Sequence, residues 1–114
     1  MINDVIVALA TAPMESAIAV IRVSGEECFG LLNKIFSKNI KVEGHKAYFG
    51  NIIDGEEIID EVIISTFVAP RSFTGENSFE KNCHGGMFIV NKIIGVCIKN
   101  GARMANRGEF SKRA

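Results

Sequence analysis

Net charge is the first thing this chain lacks: thirteen Lys and Arg are balanced by thirteen Asp and Glu across 114 residues. A surface that grips RNA by its phosphates carries a basic excess, so no direct nucleic-acid grip is expected here. Long apolar runs are missing as well. None approaches the ~20 residues of a membrane span, and Met1-Ile2-Asn3-Asp4 lacks the basic stretch that opens a secretory signal. Both absences point to the cytoplasm and away from a membrane. Cys28, Cys83 and Cys97 are odd in number and, with the two histidines, show no metal-type spacing. That argues against a disulfide framework or a zinc site and fits reduced thiols. A G-x-x-x-x-G-K-[ST] loop is also lacking, so phosphate-loop nucleotide hydrolysis has no seat in these residues. Repeats, linkers and low-complexity stretches are absent too.

What is present describes an ordinary globular domain spanning residues 1–114. It is 47% hydrophobic and 23% charged, and long enough to bury roughly two-thirds of its unfolded surface. Apolar runs at residues 5–10 and 18–23 read as strands, and the near-continuous hydrophobicity of the second implies burial on both faces. Ser24 and Glu27 stand at capping-box spacing and predict a helix over residues 26–37, with Cys28, Leu31, Leu32, Ile35 and Phe36 on its core face. Strands at residues 46–53 and 58–68 join through Asp54-Gly55, a hairpin signal. Pro70 stops the second, and residues 78–83 suit a further strand. Met87–Lys99 reads as a helix with Val90, Ile94, Cys97 and Ile98 on one face, ended by Asn100-Gly101. Residues 102–105 suit another short strand, and Gly108 starts a helix. The expected class is α+β: a mixed β-sheet of about five strands with two main helices.

Three polar, glycine-marked clusters stand out: Ser72-Phe73-Thr74-Gly75-Glu76-Asn77 leading to Glu80, then Cys83-His84-Gly85-Gly86, then Gly108-Glu109-Phe110-Ser111-Lys112-Arg113-Ala114. Such residues add little core and cost backbone order. With Ala10-Thr11-Ala12-Pro13 and Ile18-Ala19-Val20-Ile21-Arg22-Val23-Ser24-Gly25 upstream, they resemble the amino-terminal domain of the tRNA-modification GTPases of the MnmE (TrmE) family. That family's hallmarks are "ATPPG…R-x-SG", "S-[FY]-T-G-E-[DN]…E…HGG" and "GEF-[ST]-x-RAF". The chain departs from the pattern at Met14-Glu15-Ser16, at Arg107, and at Lys81-Asn82-Cys83, which is more polar than usual.

Each candidate residue has a plain reading and a functional one. Arg22, alone in an apolar strand, reads as a strand-end arginine paired with a carboxylate, or as a fork for an anion or a heterocycle edge. Glu80 reads as a solvated strand residue, or as a carboxylate taking two parallel bonds from an amino-pyrimidine edge. Glu76 is the weaker rival for that role and is assigned to shaping its loop. His84 reads as a turn histidine closing the loop; a dyad with the adjacent Cys83 is disfavoured, because such dyads are spatial rather than sequential. Gly85 and Gly86 permit close backbone approach at a helix start. Glu109 with Lys112 or Arg113 reads as a helix ion pair.

The resemblance implies a fold related to the folate-binding domains of one-carbon enzymes. It places Arg22 and Glu80 on the pterin of a tetrahydrofolate derivative (5-formyl- or 5,10-methylene-tetrahydrofolate), with His84, Gly85 and Gly86 in the site wall, and expects a further folate-contacting lysine just past Ala114. It also implies a homodimer, and a longer protein that uses GTP, Mg2+ and potassium. That protein would work with a flavin-dependent partner on the wobble uridine of tRNA, folate supplying the one-carbon unit. No residue here reads as an indispensable nucleophile, so no complete active site is expected in these residues. The rival reading is a purely structural homodimerisation module without folate binding of its own.

Overall fold

The computed structural model describes residues 4–10, 18–84 and 86–114. Among them the chain runs β1 (Ile6–Leu9), β2 (Ile18–Ser24), α1 (Cys28–Ile35), β3 (Ala47–Asp54), β4 (Glu57–Phe67), β5 (Ser78–His84), α2 (Met87–Lys99), β6 (Arg103–Met104) and α3 (Glu109–Arg113). The strands form one sheet in the order β3-β4-β5-β2-β1-β6. Every pairing is antiparallel except β1 with β6, which makes the sheet mixed, as expected. The sixth strand is the short one anticipated at residues 102–105.

Local chemistry accounts for the connections. β3 and β4 turn through Gly55 and Glu56, with Gly55 at φ +61°, a conformation that glycine adopts without penalty. Their register shifts at Ile52/Ile53, where Ile52 faces Asp60 and Ile53 faces Ile58, a bulge that increases local twist. After β2 the chain passes Gly25 at φ +148°, where a Cβ would lie 2.7 Å from Val5 Cα and 2.9 Å from the Asp4 carbonyl. Only glycine lets these two segments approach so closely. α2 ends at Asn100, whose N–H bonds back to Val96 and Cys97 carbonyls, and Gly101 follows at φ +119°.

Both long helices lie on one face of the sheet. Ala19, Ile21 and Val23 of β2, Phe79 of β5, and Val62 and Ile64 of β4 pack there against Cys28, Leu31, Leu32 and Ile35 of α1 and Val90, Ile93, Ile94 and Cys97 of α2. Three expectations need correction. β2 is not buried on both faces: Ala19, Ile21 and Val23 are buried, while Val20 and Arg22 are only half-buried. The apolar face of α2 includes Ile93 and leaves Ile98 exposed, because the helix sits on the sheet rotated toward Ile93. The capping box does not form: α1 starts at Cys28 with no side-chain cap. Ser24 instead ends β2 fully buried, its Oγ bonded to Thr74 Oγ1 at 2.6 Å and Glu76 Oε1 at 3.0 Å.

Candidate functional site

Strand parity builds the site. Residues alternate between faces along a strand, so Arg22 points away from the helices while Ile21 and Val23 point toward them. Arg22 stands directly across from Ala8 on β1 and Glu80 on β5, and Glu80 from Ser65 on β4. The result is a polar row of Arg22, Glu80 and Ser65 crossing three strands on the open face, with Ala8 beside it on β1.

The structure thus brings Arg22 and Glu80 together. Arg22 Nε donates to Glu80 Oε2 at 2.7 Å, with side chains 25% and 23% exposed. The carboxylate partner of the plain reading exists, and it is the other candidate. The Phe73 ring lies 4.6 Å from the Arg22 guanidinium carbon and the Phe110 ring 5.9 Å from it, distances at which an aromatic face attracts a cation. Arg22 also lines a cleft of about 310 Å³ between Ala8–Ala10 and residues 105–111, at the small end of the range for ligand pockets. Glu80 does not line that cleft; it adjoins it through Arg22.

Glu76 lies elsewhere, consistent with a loop role. Its Oε1 accepts from Ser24 Oγ and from Arg113 Nη1 at 2.9 Å. Arg113, 9% exposed, also donates to Asp4 Oδ1 at 2.7 Å, to the Asp4 carbonyl at 2.9 Å, and to Glu109 Oε2 at 3.1 Å. Arg103 completes the cluster, with Nε on Asp4 Oδ2 and Nη2 on Glu109 Oε2, both at 2.7 Å. The anticipated Glu109–Arg113 helix pair exists, but as one edge of a five-residue latch that ties α3 to the Thr74-Gly75-Glu76 turn and to the start of β1. Phe73 and Phe110, the rings beside Arg22, sit on the two segments that the latch joins.

Electrostatics follow from that geometry. The Arg103 bond holds the Glu109 carboxyl down at about 2, helped by the Asn106 N–H. Arg103 likewise keeps Asp4 well below the usual carboxylate range, against the opposing effect of desolvation and with Arg113 adding to it. Arg103 is raised in turn, chiefly by Glu109 and then Asp4. Burial works against the charge on Arg113, and its bonds to Glu76 and Asp4 more than offset that.

Of the remaining candidates, Gly86 is the N-cap of α2 and His84 closes β5 opposite Ile18. Gly85, the side chains of Cys83 and His84, and the Thr11-Ala12-Pro13 part of the opening block lie outside the described residues. Sequence reasoning missed Asp4, Arg103 and the two aromatic rings as site neighbours. Phe73 and Phe110 carried a signal, since each lies inside a glycine-marked cluster. Asp4 and Arg103 carried none, being 99 positions apart.

Fold and site together define a class: an α+β domain whose mixed sheet is backed by helices on one face and bears an aromatic-flanked ion pair on the other. Residues 5–114 match the family model described as the GTP-binding protein TrmE N-terminus. The chain is 54% identical over 111 residues to the tRNA modification GTPase MnmE of Mycoplasmoides gallisepticum, covering 97% of this chain and 24% of that protein. It is 49% identical over 113 residues to the MnmE of Mesoplasma florum (99% and 25%) and 42% identical over 117 residues to that of Enterococcus faecalis (97% and 25%). The chain therefore belongs to the TrmE (MnmE) amino-terminal family, and it spans about a quarter of the length of these relatives.

Proposed function

We propose that this chain is the tetrahydrofolate-binding and dimerisation domain of a tRNA wobble-uridine modification GTPase. The observation that carries the reading is the Arg22–Glu80 pair on the open face, flanked by Phe73 and Phe110. A pterin has a flat ring and an amino-pyrimidine edge of adjacent N–H donors. A carboxylate accepts from that edge, and aromatic faces cover the ring. Arg22 spends its Nε on one oxygen of Glu80 and so fixes the plane of the carboxylate, while its guanidinium also faces the cleft. These residues fit the group: Glu80 would hold the amino edge, Arg22 would orient Glu80 and meet a carbonyl or anionic substituent, and Phe73 and Phe110 would exclude water from the ring. The bound folate supplies the one-carbon unit. GTP, Mg2+ and potassium, the flavin-dependent partner, tRNA and a cytoplasmic setting belong to the longer protein in this reading.

Calorimetric titration of 5-formyltetrahydrofolate tests it. Glu80→Gln exchanges one acceptor for a clashing NH2 donor and should weaken binding ten- to a hundredfold, about 1.5–3 kcal/mol. Glu76→Gln, in the latch, should weaken it much less. Equal losses, or none for Glu80→Gln, would assign the wrong carboxylate.

The structural rival has its own observation. Phe49 and Ile63 face each other across β3 and β4 and are 55% and 40% exposed, an apolar pair of the kind that interfaces cover. Light scattering at tens of micromolar, with Phe49→Ser as the control, separates the two tasks: a dimer that binds no folate supports the rival.

A further inference from the structure

Lysine is almost never fully buried without a partner, yet Lys81 is 0% exposed in the middle of the helix-facing surface of β5. Its neighbours across the sheet are Ile21 and Ile64, which are equally buried. Among the described residues its polar partner is not a carboxylate but the thiol of Cys97 on α2, itself fully buried, with Nζ 2.8 Å from Sγ. The distance is the informative quantity. It lies within the N–H···O range, although sulfur is the larger atom and its hydrogen bonds are longer. A single oxygen atom placed between nitrogen and sulfur spans nearly this separation with both side chains where they are. A direct S–N bond would require them to close in considerably.

We propose that Lys81 and Cys97 are an oxidative crosslinking site, joined by hydrogen peroxide into an Nζ–O–Sγ bridge between β5 and α2. In the first step sulfur attacks a peroxide oxygen; the O–O bond breaks, water leaves, and Cys97 becomes a sulfenic acid. In the second, a further peroxide removes one hydrogen from the sulfenic oxygen and one from Nζ, leaves as two waters, and the N–O bond forms. Altogether one thiol, one amine and two peroxides give the bridge and three waters. Peroxide is small enough to reach the pair during local opening of the core. Cys28 is the internal control. It is as buried, its thiol pushed up to about 12 by desolvation with Glu76 contributing, and the Lys81 amine reaches Cys97 rather than it. The bridge lies behind the open-face site: Glu80 precedes Lys81 on β5 and points to the opposite face, so oxidation ties the strand that carries Glu80 to the helix at its back.

The test is a graded peroxide treatment of the reduced chain, followed by quenching, unfolding in an alkylating agent, and intact-mass and tryptic mapping. A species heavier by about 14 Da, one oxygen gained and two hydrogens lost, is expected. Trypsin should skip Lys81, the peptides bearing residues 81 and 97 should be joined, and dithiothreitol should restore both. The bridged form should also unfold at a higher temperature than the reduced one. Lys81→Met, which keeps a long unbranched side chain in the core, should abolish this species. Cys97 carrying about 16 Da or more with Lys81 still cleaved, or a disulfide between Cys28 and Cys97, would overturn the proposal. So would an unchanged Cys97 at peroxide levels that oxidise the half-exposed Met104. The wild-type peptide map decides the matter even if the variant fails to fold.

Discussion

The two faces of this sheet are built from the same strands and obey different rules. The helix-covered face is closed largely by apolar side chains, and Lys81, fully buried among them, meets a thiol. The open face collects Arg22, Glu80 and Ser65 in a row, with aromatic rings and an ionic latch at one end. Because neighbours along a strand point to opposite faces, Glu80 and Lys81 differ by one position and live in different media. A one-residue slip of β5 would exchange them. The apolar core therefore sits on one face and the paired polar groups on the other, with the latch fastening the edge between them.

Substitutions can break that contrast, the largest effect being expected on the covered face. Phe79→Ala leaves a cavity at a fully buried site and should destabilise by about 3–5 kcal/mol in urea titration. A loss below about 1 kcal/mol would show that the helices repack over the gap. Next comes the latch: Arg113→Met leaves Glu76 without its cation and Asp4 and Glu109 with Arg103 alone, and should cost about 1–3 kcal/mol. It should also loosen Phe110 beside Arg22, so under the proposed function folate affinity should fall with it. A variant with unchanged stability and unchanged affinity would reduce the latch to decoration.

The latch has a pH signature as well. Glu109 and Asp4 have depressed pKa values, so their stabilisation is full above the ordinary carboxyl values of 4.5 and 3.8. It fades as pH falls toward about 2 for Glu109 and lower still for Asp4. Urea midpoints should therefore drop on acidification below that range, and Glu109→Gln should flatten the slope. Equal slopes for the two proteins would remove the ionic account. The smallest effect on stability should come from the open-face pair. Glu80→Gln, at a partly solvated site, should change folding by under about 1 kcal/mol, whatever it does to a ligand. A larger loss would mean that the pair is chiefly a structural element.

Periodicity made much of the fold readable. Met87–Lys99 is a helix at the anticipated bounds, since its apolar residues repeat at helical spacing and Gly101 ends it. The hairpin signalled at Asp54-Gly55, which turns one residue later through Gly55-Glu56, and the strand before Pro70 were equally plain. The capping box at Ser24 misled because spacing cannot say whether a serine hydroxyl faces its own helix or a distant turn; here Thr74 and Glu76 claimed it. β2 misled because Val20 is apolar on either reading, and the half-buried open face accepts it.

By itself the sequence determined the elements, their order, and the family to which the glycine-marked clusters belong, because those depend on neighbours a few positions apart. Tertiary structure decided which polar residues meet across long stretches of chain. Asp4 with Arg103, Arg22 with Glu80 and Glu76 with Arg113 are joined across 99, 58 and 37 positions. No local pattern encodes such separations. They are set when strand pairing fixes the register and the hydrophobic effect chooses the face that turns inward.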